Sequence, residues 1–317
     1  MEPSIHQLTI PTPFRVGPVH LYLIEGPVLT LVDTGPNTAE AWDELTVQLR
    51  SIGVDPYDVK QIILTHHHPD HVGLTFRWPE ATIIGHSLLR PWLEKDEQFF
   101  AEYANFFYPF YRQHGLSDQH LKQVKKSYVD YLGFVKETTL DTEVGEGDEL
   151  PFLPDWVVYE APGHAQSHIL LYHRKAQVAI GGDVLLASVS SNALLEAPKK
   201  GEPKPKSLLQ YRDTLRKVKQ LSIKKLYPGH GPVIENVAEL VDQRLLAHEK
   251  RAQDILQLMN GEAMTVTDLC ERLFADVHQG QPELTFSEVY GHLELLMANE
   301  QVEQVQQGER CLFKMND

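Results

Sequence analysis

A chain of 317 residues can hold one large domain and a smaller one, and its 42% hydrophobic and 23% charged residues are the proportions of an ordinary globular protein. The formal net charge of −15, from 44 acidic and 29 basic side chains, repels polyanions on average and so disfavours RNA or DNA as a partner. No stretch approaches the roughly 20 apolar residues of a membrane span, the first residues lack the basic and apolar regions of an export signal, and Cys270 and Cys311 make no disulfide framework, so a cytoplasmic protein with no membrane partner is expected.

The first half alternates strand and helix signals. His20–Ile24 and Val28–Val32 read as strands around the turn Glu25-Gly26-Pro27, and Asp33-Thr34-Gly35-Pro36 ends the second. Trp42, Leu45, Leu49 and Ile52 then recur at helical spacing. Gln61–Thr65 is the next strand and Thr82–Ile84 another. From about 86 to 140 the rhythm changes to helices dense in rings, among them Phe99, Phe100, Tyr103, Phe107, Tyr108 and Tyr111. A helical hairpin with its own aromatic core is one reading. A lid is the other, with Phe107, Tyr108 and Tyr111 touching an apolar part of a substrate. Strands return at Trp156–Glu160, Ile169–Tyr172 and Val178–Ile180. Lys199–Lys206 reads as a solvated loop whose four lysines are otherwise suited to meet an anionic substrate, and Ser207-Leu208-Leu209-Gln210 as a capping box opening a helix to about Leu221. Lys225–Tyr227 is a short strand. Beyond residue 236 come a long helix to about Asn260, helices over Thr267–Phe274 and Phe286–Asn299, and a hairpin turned at Gln307-Gly308-Glu309, in winged-helix order.

The chemistry lies in Thr65-His66-His67-His68-Pro69-Asp70-His71, directly after the apolar run Ile62-Ile63-Leu64. Imidazoles repel one another once protonated, so gathering them with a carboxylate at a strand end points to a metal site. In extended chain His66 and His68 face the same way, while His67 faces away and reads as structural. Asp70 and His71 follow where the chain turns. Four donors do not complete two sites, and His164 in Pro162-Gly163-His164, Asp183 in Gly181-Gly182-Asp183 and His230 in Pro228-Gly229-His230 stand at similar strand ends beside glycines. His20, His86, His114, His120, His168 and His173 carry no comparable motif, though His168, four residues after His164, could support the site.

This His-x-His-x-Asp-His pattern, with later His, Asp and His, resembles the metallo-β-lactamase-fold hydrolases over most of residues 8 to 235. The resemblance implies an α/β fold, a four-layer αβ/βα sandwich over 1–235 with the 86–140 segment as a helical insertion. It is followed by a winged-helix-like domain over 236–317. It also implies that His66, His68 and His164 hold one divalent cation, that Asp70, His71 and His230 hold a second, that Asp183 bridges them, and that Asp33 supports the site. A hydroxide held between two cations about 3.5–4 Å apart would then attack a carbonyl or phosphoryl centre, with Asp70 orienting it and moving its proton. Imidazole and carboxylate ligands suit zinc best, with iron and manganese compatible.

Within that fold the chain is most similar to the glyoxalase-II-like (hydroxyacylglutathione-hydrolase-like) branch with a C-terminal winged helix. That branch implies a small-molecule thioester, lactone or other ester as substrate, with a metal-dependent phosphodiesterase or endoribonuclease as the alternative. From Glu249 to Asp317 there are 13 acidic and 5 basic side chains, so the tail is not expected to read DNA; packing or a homodimer contact suits it better.

Overall fold

The computed structural model describes residues 2–316. In chain order the first elements are strands β1 (Ser4–Ile10), β2 (Val19–Glu25) and β3 (Thr30–Val32), helix α1 (Ala39–Ser51), strand β4 (Gln61–Leu64), helix α2 (Pro69–Val72), strand β5 (Thr82–Gly85) and helix α3 (Arg90–Leu93). Helices α4 (Glu97–Gln113) and α5 (Asp118–Gly133) follow, then strands β6 (Thr142–Glu143), β7 (Trp156–Glu160), β8 (Ile169–His173) and β9 (Val178–Gly182). The remainder is helix α6 (Ser207–Gln220), strand β10 (Lys225–Pro228), helices α7 (Val237–Met259), α8 (Val266–Leu273), α9 (Ala275–His278) and α10 (Pro282–Ala298), and strands β11 (Val302–Gln307) and β12 (Arg310–Met315). No helix among the described residues is long and apolar enough to cross a membrane.

The chain forms two compact units that interleave along the sequence. The first comprises 1–96, 130–191 and 214–241; the second comprises 97–129, 192–213 and 242–317. The aromatic segment therefore groups with the C-terminal chain, whereas the sequence pattern suggested a division near residue 235.

In the first unit, six strands run β1-β2-β3-β4-β5-β6, antiparallel from β1 to β3 and parallel from β3 onward. A second sheet has the order β10-β9-β8-β7. Alternation along the strands separates two cores. Leu21, Leu23, Leu31, Ile62 and Leu64 pack with Ala41, Leu45 and Leu49 of α1. Tyr22, Ile24, Val32, Ile63 and Ile84 pack instead with Val158, Ile169, Leu171 and Ile180 of the second sheet. The last turns of α6 cover that sheet's other side, where Thr214 Oγ1 donates to Pro162 O at 2.7 Å and Lys217 Nζ to Glu160 O at 2.9 Å. Helix, sheet, sheet and helix thus succeed one another. Because β3 and β4 are covered on both faces, they carry no polar side, and the polar residues Asp33 and Thr65–His68 follow directly after them, which places the chemistry at their C-terminal ends.

In the second unit the rings of α4 pack on α10: Tyr111 lies 4.8 Å from Phe286 and Phe110 5.0 Å from Tyr290, centroid to centroid. Helix α8 is opened by a capping box between Thr265 and Asp268. Three local expectations are revised. Helix α10 begins a turn earlier than expected because Pro282 at its first position is preset for helix. Ser207 is the first residue of α6 and its buried Oγ has no hydrogen-bond partner, so the capping box expected there is not made. Lys204 is not a solvated loop lysine: its Nζ donates to Glu294 Oε1 at 2.9 Å and lies 4.8 Å from the Tyr290 ring centre.

Candidate metal centre

Strand ends and one turn of helix gather the expected residues within the first unit. The segment after β4 carries His66 and His68, and α2 carries Asp70 and His71, with Pro69 at the helix's first position. His164 follows β7, Asp183 follows β9 and His230 follows β10. All seven are buried. Their ring nitrogens and carboxylate oxygens fall into three overlapping groups: His66, His68 and His164; His66, His71 and Asp183; and Asp70, His71 and His230.

Hydrogen bonding fixes which face of each ring looks inward. The Thr65 hydroxyl donates to Asp33 Oδ2 at 2.8 Å and so accepts the His66 Nδ1 proton at 3.0 Å, leaving the His66 Nε2 lone pair for the cluster. His71 Nδ1 donates to Asp33 Oδ2 at 2.7 Å, and His230 Nδ1 donates to Pro18 O at 2.7 Å. Each therefore also aims its Nε2 inward. His68 Nδ1 lies 3.0 Å from His66 Nε2 and 2.9 Å from His164 Nε2. A single proton on His68 Nδ1 can serve only one of those neighbours, so the three nitrogens cannot all be satisfied by one another. His71 Nε2, His230 Nε2 and Asp183 Oδ1 are buried and make no hydrogen bond of good geometry, their nearest polar neighbours being one another and Asp70. Left unmatched, such groups cost roughly 1–3 kcal/mol each, and a shared divalent cation matches them all at once.

The electrostatics divide the cluster. Burial, then the neighbouring imidazoles, holds His66 and His68 well below the usual histidine pKa, so these rings are neutral donors. Burial opposes charge on His71 too, but Asp183, Asp33 and Asp70 outweigh it and push its pKa well up. Burial would raise the Asp183 carboxyl, yet His230 and His71 hold it well below the usual range. The carboxylates that retain a proton on His71 are equally suited to a cation. Asp183 lies between the two halves, with Oδ1 3.6 Å from His71 Nε2 and Oδ2 3.6 Å from His164 Nε2 and 3.7 Å from His230 Nε2. Asp70 Oδ2 is 3.2 Å from His230 Nε2. Gly229 is obligatory here, since a Cβ would come within 2.3 Å of Asp183 Oδ1.

With this geometry, the family follows from comparison. The sequence model of the Metallo-beta-lactamase superfamily matches residues 14–230, which contain every residue of the cluster. The chain belongs to that superfamily. A Bacillus subtilis protein described as "Probable metallo-hydrolase YqjP" is 37% identical over 311 residues, covering 97% of this chain and 96% of its own. The crystal structure of a metallo-beta-lactamase family protein from Thermus thermophilus, TTHA1429, superposes with a TM-score of 0.84 at 27% identity, covering 98% of both chains. An "Atrochrysone carboxyl ACP thioesterase" of Aspergillus fumigatus is 29% identical over 110 residues, covering 34% of this chain and 31% of that one. As a superfamily member the chain has a mixed α/β metallo-beta-lactamase fold and belongs with the metal-dependent hydrolases.

Other residues expected to matter lie as follows. Asp33 sits at φ +62°, a backbone region ordinary side chains avoid, and accepts from Thr65 N–H, Thr65 Oγ1 and His71 Nδ1. His67 turns out of the cluster, stacks on Trp92 at 4.0 Å and pairs with Ser167 Oγ. Phe107 and Tyr111 are buried in the ring cluster of the second unit, 5.2 Å apart, and Tyr108 is half exposed. Two supports carried little signal in sequence. His168 stacks on His66 at 4.8 Å and its Nε2 accepts the Asp183 N–H at 3.1 Å. His20 Nε2 bonds Gly231 O at 2.9 Å while the Tyr22 hydroxyl donates to Pro228 O at 2.6 Å, so β2 braces the loop bearing His230. Only the four-residue step from His164 hinted at His168; nothing local marked His20.

Proposed function

We propose that the protein is a dinuclear metal-dependent hydrolase that cleaves a small-molecule thioester, lactone or other ester. The observation that carries this reading is the convergence of the unpartnered His71 Nε2, His230 Nε2 and Asp183 Oδ1 beside the three close nitrogens of His66, His68 and His164. His66, His68 and His164 would hold one cation, Asp70, His71 and His230 a second, and Asp183 both. Neutral imidazoles with carboxylates suit zinc. Bound there, divalent cations supply the Lewis acidity that makes water a nucleophile near neutral pH and polarises an attacked carbonyl.

The chain's own residues do the rest. Asp33 keeps the His71 Nδ1 proton in place and thereby keeps Nε2 a ligand. His168 fixes the backbone at Asp183. Asp70, on the first turn of α2, orients the attacking water, takes its proton and returns it to the departing alcohol or thiol. Ester rather than phosphodiester chemistry is favoured by the acidic charge and by the withdrawal of Lys204 into its ion pair, which weakens the lysine loop as a phosphate grip. The thioesterase name of one partial relative agrees with this choice.

In finer detail the reading takes the protein as glyoxalase-II-like and cytoplasmic, with α8, α10 and the β11–β12 hairpin as a winged-helix element serving packing or a homodimer contact rather than DNA. The test is a substrate panel for the zinc-loaded protein: thioesters, lactones, aryl esters, aryl phosphodiesters and single-stranded RNA, with Asp70→Ala as control. Turnover of at least one ester class, lost in Asp70→Ala, is expected. Turnover of RNA alone overturns the reading.

A further inference from the structure

Beside His68 stands a group of rings that no local sequence pattern singled out. The Tyr131 ring meets the His68 imidazole edge to face at 6.1 Å, and Phe14 lies 6.4 Å from Tyr131 and 5.2 Å from Phe134, centroid to centroid. All three rings are half-buried, so part of their apolar surface stays in water, and Tyr131 joins them to the cluster. All three belong to the first unit, although most of α5 does not.

The rings are held in position by backbone. Thr12 Oγ1 donates to Gly17 O at 2.6 Å and Gly17 N–H to Phe14 O at 3.2 Å, closing the loop that presents Phe14. Lys95 Nζ donates to Leu132 O at 2.9 Å, and Phe134 N–H to Tyr131 O at 3.1 Å. The Phe134 carbonyl lies so close to Gly73 that a Cβ there would come within 2.7 Å of it. Gly73 ends α2, the helix of Asp70 and His71, so the rings are registered against the catalytic carboxylate. Preorganised apolar surface beside a polar reacting centre is the usual build of a small-molecule site.

We propose that Phe14, Tyr131 and Phe134 form the seat for the non-reacting part of the substrate, and that this part is an apolar acyl or aryl group. The inference rests on the ester-hydrolase reading above and names its substrate class: esters or thioesters of hydrophobic carboxylic acids. The reacting carbonyl faces the histidine cluster while its chain or ring lies across the three aromatic side chains, where it leaves water.

The test uses p-nitrophenyl esters of acetate, butyrate, hexanoate and octanoate with the zinc-loaded full chain. Each methylene withdrawn from water contributes up to about fourfold, so kcat/KM should rise at least about tenfold from acetate to hexanoate. In Phe14→Ala and Tyr131→Ala that rise should shrink below about threefold, while Tyr131→Phe should keep it. Phe152→Ala, at an exposed ring, should also keep it. Zinc content and melting temperature check folding, and Phe14→Leu or Tyr131→Leu replaces the corresponding alanine variant if it fails. A flat parent profile, or an unchanged rise in both alanine variants, overturns the seat. A binding arm needs no turnover: calorimetry should find octanoate at least about tenfold tighter than acetate, and Phe14→Ala should erase the difference. Equal binding of the two acids overturns the seat, whereas preferential octanoate binding without turnover of any ester supports the seat and overturns only the hydrolase reading.

Discussion

Buried histidines are gathered in both units, and the contrast between them shows what makes a site. In the first unit, His66, His71 and His230 each commit one nitrogen to a hydrogen bond and aim the other at a space shared with Asp70 and Asp183. In the second, His248 and His292 are equally buried and lie 5.8 Å apart, with His248 Nδ1 and His292 Nε2 unpartnered. Their neighbours are of the wrong sign: Arg212 and Arg244 face His248, and Arg251 and Arg212 face His292 alongside Glu288. No metal-competent group of three appears there among the described residues. Burial and clustering of imidazoles are thus insufficient; convergence with carboxylates decides.

Variants can sharpen or break that contrast. The largest effect is expected from Asp70→Ala, which removes the residue proposed both to hold a cation and to accept the proton; ester turnover should fall by more than about 1000-fold, within the combined range for general acid–base catalysis and ligand loss. Asp33→Asn leaves every ligand in place but weakens the hold on His71 and Thr65. Its zinc affinity, measured by chelator competition, should drop about 10–100-fold, the range for outer partners of metal ligands. An unchanged affinity would contradict the proton assignment given to His71. Chelation of the loaded protein should lower the melting temperature by several degrees, because a cation held at about 100 times its Kd contributes about 2.7 kcal/mol.

The smallest effect on the metal centre is expected from the second unit. Burial, then His292 and the arginines, pushes the His248 pKa down to about 3. Below about pH 6.5 the unfolded chain takes up a proton there that the folded chain refuses until about pH 3, so stability is lost as pH falls through that window, at roughly 1.4 kcal/mol per pH unit. His248→Gln should flatten the acid side of the stability curve by about one proton's slope and leave zinc content as in the parent. A loss of zinc in this variant would erase the contrast between the units.

Much of this was legible in the sequence, for physical reasons that differ by element. The cluster after β4 is contiguous, and the later candidates each sit beside a glycine at a strand end, so spacing and strand period made them stand out, while the family resemblance ordered them into two sites. The strands β2, β3 and β4 were legible as apolar runs; their division between two cores is shown by the structure. What brought His20 to Gly231 is a contact 211 residues apart in sequence, which no local pattern encodes. The aromatic segment shows the same limit. Ring density marked helices, but density does not specify facing: Phe107 and Tyr111 are core, whereas Tyr131, from the far end of α5, borders His68, and Phe14, from a separate loop, packs on Tyr131. The Ser207 motif had the right letters one position too late in the helix.

The central claim is that Asp183 joins two cation sites in one cluster. Elemental analysis of zinc-loaded protein tests it most directly. The account predicts about two equivalents per chain in the parent and one or fewer in Asp183→Ala, with His248→Gln unchanged. Two full equivalents retained by Asp183→Ala would contradict it.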